Sequence, residues 1–135
     1  MFEVFMNKPV IIIVEDEILV AEAVKRFLEK NGYEVPAMAA SGIQALQHAR
    51  KYAPDIIIMD VSLKGNLDGI NLAAYLWESM KIQSIFLTAQ GDMKTFEKAK
   101  NVHHLGFINK PFFERDILKL LDFALIKKRR KTVIA

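Results

Sequence analysis

The chain has 135 residues, 52% of them hydrophobic and 26% charged, and a formal net charge of +3. This length suits one domain, and the apolar runs are shorter than the roughly 18 residues that a membrane-spanning helix needs. The absence of cysteine excludes disulfides, thiolate metal sites and cysteine nucleophiles.

Short apolar runs alternate with segments of helical spacing along the whole chain. Five short apolar runs are predicted strands: residues 10–14, 34–39, 56–59, 84–88 and 106–109. Five predicted helices follow them in turn: residues 17–30, a helix from the Ser41 cap to before Pro54, a helix after Asp68-Gly69, residues 93–101 and a helix after Pro111. This order predicts an α/β fold of (βα)₅ type, with a parallel sheet covered by helices on both faces.

The two ends of the chain lie outside the predicted domain, which spans residues 8–126. Residues 1–7 form an N-terminal extension without the basic and apolar segments of a secretory signal, so we expect a cytoplasmic protein that does not bind membranes. Residues 127–135 form a basic C-terminal tail. Such a run is more often the solvated end of a helix than a contact with nucleic acid, so charge alone predicts no nucleic-acid binding.

Polar side chains stand at the carboxyl ends of four predicted strands. They are Glu15, Asp16 and Glu17 after the first strand, Asp60 after the third, Thr88 at the end of the fourth and Lys110 after the fifth. Open α/β sheets bind ligands at this edge, so we expect these groups to converge. Each of them singly has an ordinary structural role, such as a turn residue or a surface lysine. Their coincidence favours a functional site.

Carboxylates held close together raise one another's pKa unless a cation neutralises them. No cysteine or histidine accompanies them at the strand ends, so the matching cation is a hard one that prefers oxygen, and Mg²⁺ fits best. Asp60 can then act as a nucleophile that forms an acyl phosphate, while the metal and Lys110 offset the charge of the transferring group.

These residues and their neighbours resemble the response-regulator receiver domains of two-component signalling, over about residues 8 to 126. Four segments in the family's order carry the resemblance: Val14-Glu15-Asp16, Ile57-Ile58-Met59-Asp60, Leu87-Thr88-Ala89 and Phe107-Ile108-Asn109-Lys110-Pro111-Phe112. The resemblance implies a flavodoxin-like, doubly wound sheet of five parallel strands in the order 2-1-3-4-5.

The resemblance also implies roles for individual residues in phosphoryl transfer. Asp60 would be the phosphoacceptor and would bind Mg²⁺ together with Asp16. The backbone carbonyl of Ser62 would bind the metal as well, and Glu15 would hold a water molecule bound to the metal. Lys110 would pair with the phosphoryl oxygens.

Further implied roles concern the response of the domain to phosphorylation. Thr88 would hydrogen-bond the phosphoryl group and draw its loop inward, so that Phe107 turns from an exposed to a buried position. Ser62 and Gln90 would tune the rate of self-dephosphorylation. The Lys110-Pro111 bond is expected to be cis. The loop over residues 61–69 is one residue longer than the family's common version.

As a phosphoacceptor with slow self-dephosphorylation, this domain would not be a conventional enzyme. Its implied partners are a sensor histidine kinase or phosphotransfer protein and a downstream target that binds the fourth helix, fifth strand and fifth helix. The fifth helix carries extra apolar residues, among them Leu118 and Phe123. A homodimer through that surface is therefore a further possibility. Two alternatives are the receiver part of a DNA-binding transcriptional regulator and a pseudo-receiver that binds partners without phosphorylation. His48, His103 and His104 are expected to be structural or exposed.

Overall fold

One sheet of five parallel strands organises the molecule. The computed structural model describes the backbone of residues 8–63, 68–89 and 91–134 and the side chains as far as residue 125. The strands are β1 (Ile11–Val14), β2 (Met38–Ala39), β3 (Ile56–Asp60), β4 (Gln83–Ala89) and β5 (Gly106–Lys110). Their spatial order is β2-β1-β3-β4-β5, which confirms the predicted topology. β1 and β3 are buried along their whole length, as expected for the central strands of a sheet that is covered on both faces.

Five helices connect and cover the strands. They are α1 (Ile18–Lys30), α2 (Gly42–Tyr52), α3 (Gly69–Met80), α4 (Met93–Ala99) and α5 (Glu114–Ile134). α2 begins at the predicted capping box, where the Ser41 hydroxyl accepts the Gln44 N–H at 3.2 Å. The Gln44 side chain in return accepts the N–H of Ala40 at 2.9 Å. Asp68 and Asp92 cap α3 and α4, where their side chains accept the N–H of Asn71 and of Thr95.

The hydrophobic core forms two layers because successive strand residues point to opposite faces of the sheet. Ile11 and Ile13 of β1 pack with α1 and α5, whereas Ile12 and Val14 pack with α2 and α3. Each layer therefore buries one face of the same strand, and the rigid sheet holds the ends of its strands in fixed positions. None of the described helices is both long and apolar enough to cross a membrane.

Two element bounds differ from the prediction. The second strand, predicted over residues 34–39, pairs only over Met38–Ala39, with one isolated bridge between Val10 and Glu34. Pro36 lies between these pairings and has no N–H to donate to a neighbouring strand. The backbone of α5 is helical as far as Ile134, so the predicted domain limit at residue 126 falls inside this helix. The division of the chain into extension, domain and tail remains a prediction.

Candidate functional site

Four of the predicted site residues meet at the carboxyl edge of the sheet. Glu15 follows β1, Asp60 ends β3, Thr88 lies near the end of β4 and Lys110 ends β5. Glu15, Asp60 and Thr88 are each at most 3% exposed. Buried carboxylates are unfavourable unless they are paired or hydrogen-bonded, so their surroundings must compensate for their charge.

The Asp60 carboxylate is held by three donors. Its Oδ1 accepts the Ser62 N–H at 2.8 Å and the Ser62 hydroxyl at 2.6 Å. Its Oδ2 accepts from Lys110 Nζ at 3.0 Å. Burial raises the pKa of Asp60, but the hydrogen bonds from Ser62 and then from Lys110 outweigh it and leave the pKa below its usual value. Asp60 is therefore ionised at neutral pH, the form in which a carboxylate can act as a nucleophile.

The ammonium group of Lys110 lies among three carboxylates. Its Nζ is 2.7 Å from Glu15 Oε2, 3.0 Å from Asp60 Oδ2 and 3.7 Å from Glu17 Oε1. Burial lowers the pKa of Lys110, but the contacts with Glu15 and Asp60 raise it more, so the side chain stays charged. The Lys110-Pro111 peptide bond is cis, as the resemblance implies.

The negative charge of Glu15 is less fully stabilised by its neighbours than that of Asp60. Burial is the main cause that raises the pKa of Glu15 to about 7, and Lys110 and the N–H of Glu17 offset only part of this rise. The Glu17 N–H donates to Glu15 Oε1 at 3.1 Å. Oε2 forms the ion pair with Lys110, yet in the described part of the chain no donor meets it at a hydrogen-bonding angle. This buried oxygen therefore has capacity for a further cation.

Glu15, Asp16 and Asp60 together form an acidic cluster. Each offers one carboxylate oxygen, and these three oxygens all lie within 4.8 Å of one another. Asp16 is exposed while the other two are buried, so the cluster is open to solvent on one side. An all-oxygen donor set and the under-coordinated Glu15 Oε2 suit a hard divalent cation such as Mg²⁺. The implied role of the Ser62 carbonyl stays a prediction, since the contacts seen for Ser62 are those of its N–H and hydroxyl.

Thr88 and Phe107 border a common cavity of about 310 Å³. The Thr88 hydroxyl donates to the carbonyl of Ala89 at 3.3 Å and is thus not bound to Asp60. Phe107 is half-buried, and its ring centroid lies 4.8 Å from that of Phe96. The structure thus brings the two residues to one cavity, whereas their switching roles remain predictions.

Sequence reasoning missed a contact of His104 with Phe107. The two rings meet edge to face with centroids 4.4 Å apart. The His104 Nδ1 is buried without a hydrogen-bond partner among the described residues, and burial followed by the charge of His103 lowers the pKa of His104. His103 itself stacks on Trp77 with ring centroids 3.6 Å apart. No sequence pattern signals either contact.

A second missed feature is Gly69, which the sequence indicates only as the start of a helix. A Cβ added at this residue would lie 2.8 Å from the Asp60 carbonyl oxygen and 3.0 Å from Met59 Cγ. The glycine therefore lets α3 start directly against the end of β3. Gln90, which is expected to tune self-dephosphorylation, lies outside the described residues. Residues 64–67 of the loop that is expected to be longer also lie outside them.

Comparisons with known proteins agree with this arrangement. Residues 11–122 match the family model of the response regulator receiver domain. The chain is 28% identical over 124 residues to the transcriptional regulatory protein PdtaR of Mycobacterium tuberculosis, an alignment that covers 92% of this chain but only 60% of that protein. It is 29% identical to the chemotaxis protein CheY of Bacillus subtilis, with 85% of this chain and 96% of CheY covered.

Solved structures lead to the same family. The signal receiver domain of a modulated diguanylate cyclase from Desulfovibrio desulfuricans is 34% identical and matches with a TM-score of 0.84, covering 93% of this chain and 99% of that one. This likeness confirms the flavodoxin-like fold that the family resemblance implies. With the family model matching most of its length, the chain belongs to the response regulator receiver domains.

Proposed function

We propose that this domain accepts a phosphoryl group on Asp60 and thereby changes the surface that it presents to a partner protein. The observation that carries the proposal is the state of Asp60, a buried carboxylate that stays ionised because Ser62 and Lys110 hold its two oxygens. A carboxylate oxygen attacks the phosphorus of a phosphohistidine. The new O–P bond forms as the P–N bond breaks, and the imidazole nitrogen leaves with the electron pair.

Charge around Asp60 would favour this transfer. Lys110 Nζ already lies 3.0 Å from Asp60 Oδ2, so it can pair with the phosphoryl oxygens as they arrive. Asp16, Asp60 and the Ser62 carbonyl would hold Mg²⁺, and Glu15 would act on it through a water. When bound, Mg²⁺ supplies positive charge that offsets the negative charge of the transferring oxygens.

Thr88 and Phe107 would convert phosphorylation into a change of surface. In the resting arrangement the Thr88 hydroxyl bonds only to a backbone carbonyl, which leaves it available for a phosphoryl oxygen. Its movement toward Asp60 would let Phe107 turn into the neighbouring cavity of about 310 Å³. The surface formed by α4, β5 and α5 would change as a result.

The proposed partners follow from this chemistry. The donor would be a sensor histidine kinase or phosphotransfer protein in the cytoplasm, and a downstream protein, or a second copy of this domain, would bind the α4-β5-α5 surface. A second candidate function is the receiver part of a longer transcriptional regulator, as the name of PdtaR and the 60% coverage of that protein suggest. A pseudo-receiver is disfavoured because Glu15, Asp16 and Asp60 come together as one acidic cluster.

The decisive experiment is incubation with a small phosphodonor and Mg²⁺, followed by intact mass measurement. Wild-type protein should gain one phosphoryl group, Asp60→Ala should gain none, and Asp116→Ala, the same substitution on α5, should behave as wild type. Failure to find an Asp60-dependent adduct with either acetyl phosphate or phosphoramidate would contradict the proposal.

Ser62 provides a second test, on the lifetime of the adduct. Its hydroxyl stabilises the carboxylate that leaves when the acyl phosphate is hydrolysed, through a hydrogen bond of 2.6 Å. A hydrogen bond of this kind is worth about 1 kcal/mol, so Ser62→Ala should slow the loss of the adduct about fivefold. Ser62→Thr keeps the hydroxyl and is the control. An adduct in Ser62→Ala that decays as fast as in wild type would show that the hydroxyl has no part in hydrolysis.

A further inference from the structure

Glu17 is a charged neighbour of the site that the proposed phosphoryl transfer does not use. It is the N-cap residue of α1, but its side chain makes no capping hydrogen bond with the helix. Its Oε1 lies instead 3.7 Å from Lys110 Nζ, and its side chain is 66% exposed. Glu17 thus places a solvent-facing negative charge beside the cation that the incoming phosphoryl group must reach.

Glu17 lies nearer the solvent than Lys110 and Asp60. Asp60 is 2% exposed and the Lys110 side chain 21% exposed, so both lie deeper. Beyond Glu17 and Lys110 a groove of about 550 Å³ continues between α1 and the residues after β5, lined by Leu19, Val20 and Phe112. These lining residues are apolar and bring no positive charge that would offset the Glu17 carboxylate.

We propose that Glu17 is a specificity-determining residue that disfavours small anionic phosphodonors at Asp60. The inference rests on the proposed phosphoacceptor function. Two effects act together: the Glu17 carboxylate repels the negative donor, and it competes with the donor for Lys110. With acetyl phosphate, an O–P bond to Asp60 forms as the bond between phosphorus and the acetyl oxygen breaks, and acetate leaves with the electron pair. The donor enters this step as a dianion.

The size of the effect follows from Coulomb's law. Glu17 is exposed, so its charge acts through water; for charges about 6 Å apart at the dielectric constant of water, screening at about 0.1 M salt leaves roughly a twofold change in rate for each unit of donor charge. Removing the Glu17 charge should therefore speed transfer about fourfold from the dianion acetyl phosphate and about twofold from phosphoramidate, which is mainly a monoanion near neutral pH. Reversing the charge with Glu17→Lys should speed transfer from acetyl phosphate about fifteenfold, because the charge at this position then changes by two units.

The test compares second-order rate constants of Asp60 phosphorylation for wild type, Glu17→Gln and Glu17→Lys with both donors, read by intact mass. Saturating Mg²⁺ removes any effect of the variants on metal affinity. Glu22→Gln, which removes an exposed carboxylate farther along α1, controls for net charge. We expect the rate constant of Glu17→Gln and of Glu17→Lys to rise more with acetyl phosphate than with phosphoramidate. Both increases should shrink at about 1 M salt.

Two results would overturn the inference while the proposed function stands: wild type is phosphorylated but Glu17→Gln is no faster than Glu22→Gln, or both donors gain equally regardless of salt. If wild type forms no Asp60 adduct at all, the proposed function fails and this inference fails with it. The two failures are therefore distinguishable in one set of measurements.

Discussion

Replacing Lys110 with methionine should destabilise the domain and make its stability depend strongly on Mg²⁺. Methionine has a similar length but no charge, so the change leaves Glu15 and Asp60 facing each other without the ammonium that lies 2.7 and 3.0 Å from them. Both carboxylates are at most 3% exposed, so water cannot solvate their charges in place of the ammonium. The free energy of unfolding should fall because the folded state alone holds this repulsion.

The magnitude follows from the burial of the three groups. Removing one partner of a buried ion pair costs about 3–5 kcal/mol, and the partial exposure of Lys110 reduces this to about 2–3 kcal/mol near pH 8. In urea this corresponds to a midpoint lower by about 1–2 M. The loss should be smaller near pH 6, because Glu15, whose pKa is already raised to about 7 by burial, can take up a proton in the folded state.

The assay is urea denaturation followed by circular dichroism, in EDTA and in excess Mg²⁺. Mg²⁺ should stabilise the variant more than wild type, because the cation replaces the missing ammonium between the carboxylates. Lys100→Met removes an exposed ion pair with Glu97 and should change the free energy of unfolding by less than about 0.5 kcal/mol.

Two results would refute this reasoning. One is a Lys110→Met variant that unfolds at the wild-type urea concentration in EDTA at pH 8. The other is a gain in stability from Mg²⁺ that is equal in both proteins. Either would mean that the two buried carboxylates do not depend on Lys110 for compensation.

Three more predictions concern neighbouring groups. Mg²⁺ binding, measured by calorimetry, should weaken about tenfold from pH 8 to pH 6 because Glu15, with a pKa of about 7, must lose its proton, and Glu15→Gln should flatten this dependence. Burial lowers the pKa of His104, so the unfolded chain binds the proton more readily than the folded one. The free energy of unfolding should therefore fall as the pH drops below 6.5, the ordinary pKa of histidine, and His104→Leu should be less sensitive to acid in urea titrations. Gly69→Ala, with a methyl group 2.8 Å from the Asp60 carbonyl, should lower stability by about 1–3 kcal/mol in thermal melts. Gly106→Ala meets only a flexible leucine end and should cost less; equal losses would contradict this account.

The amino-acid pattern alone was enough to predict the sheet and the place of the site. The uninterrupted apolar residues of β1 and β3 indicate strands buried on both faces, and parallel strands bring their carboxyl ends to one edge. The residues at the ends of those strands could therefore be assigned to one site without any coordinates. The second strand was predicted too long, because the apolar residues around Pro36 outweighed its missing N–H in the pattern.

The electrostatic state of the site was decided only by the tertiary structure. Asp60 and Glu15 are both buried carboxylates, yet the pKa of Asp60 is lowered and that of Glu15 is raised. The difference arises because Asp60 receives two hydrogen bonds from Ser62 in addition to that from Lys110, whereas at Glu15 the contacts with Lys110 and the Glu17 N–H offset only part of the effect of burial. Such differences depend on tenths of an ångström and on angles between groups distant in the chain, which spacing in a sequence does not encode. The packing of His104 on Phe107 and the nearness of Glu17 to Lys110 depend on the same kind of three-dimensional detail.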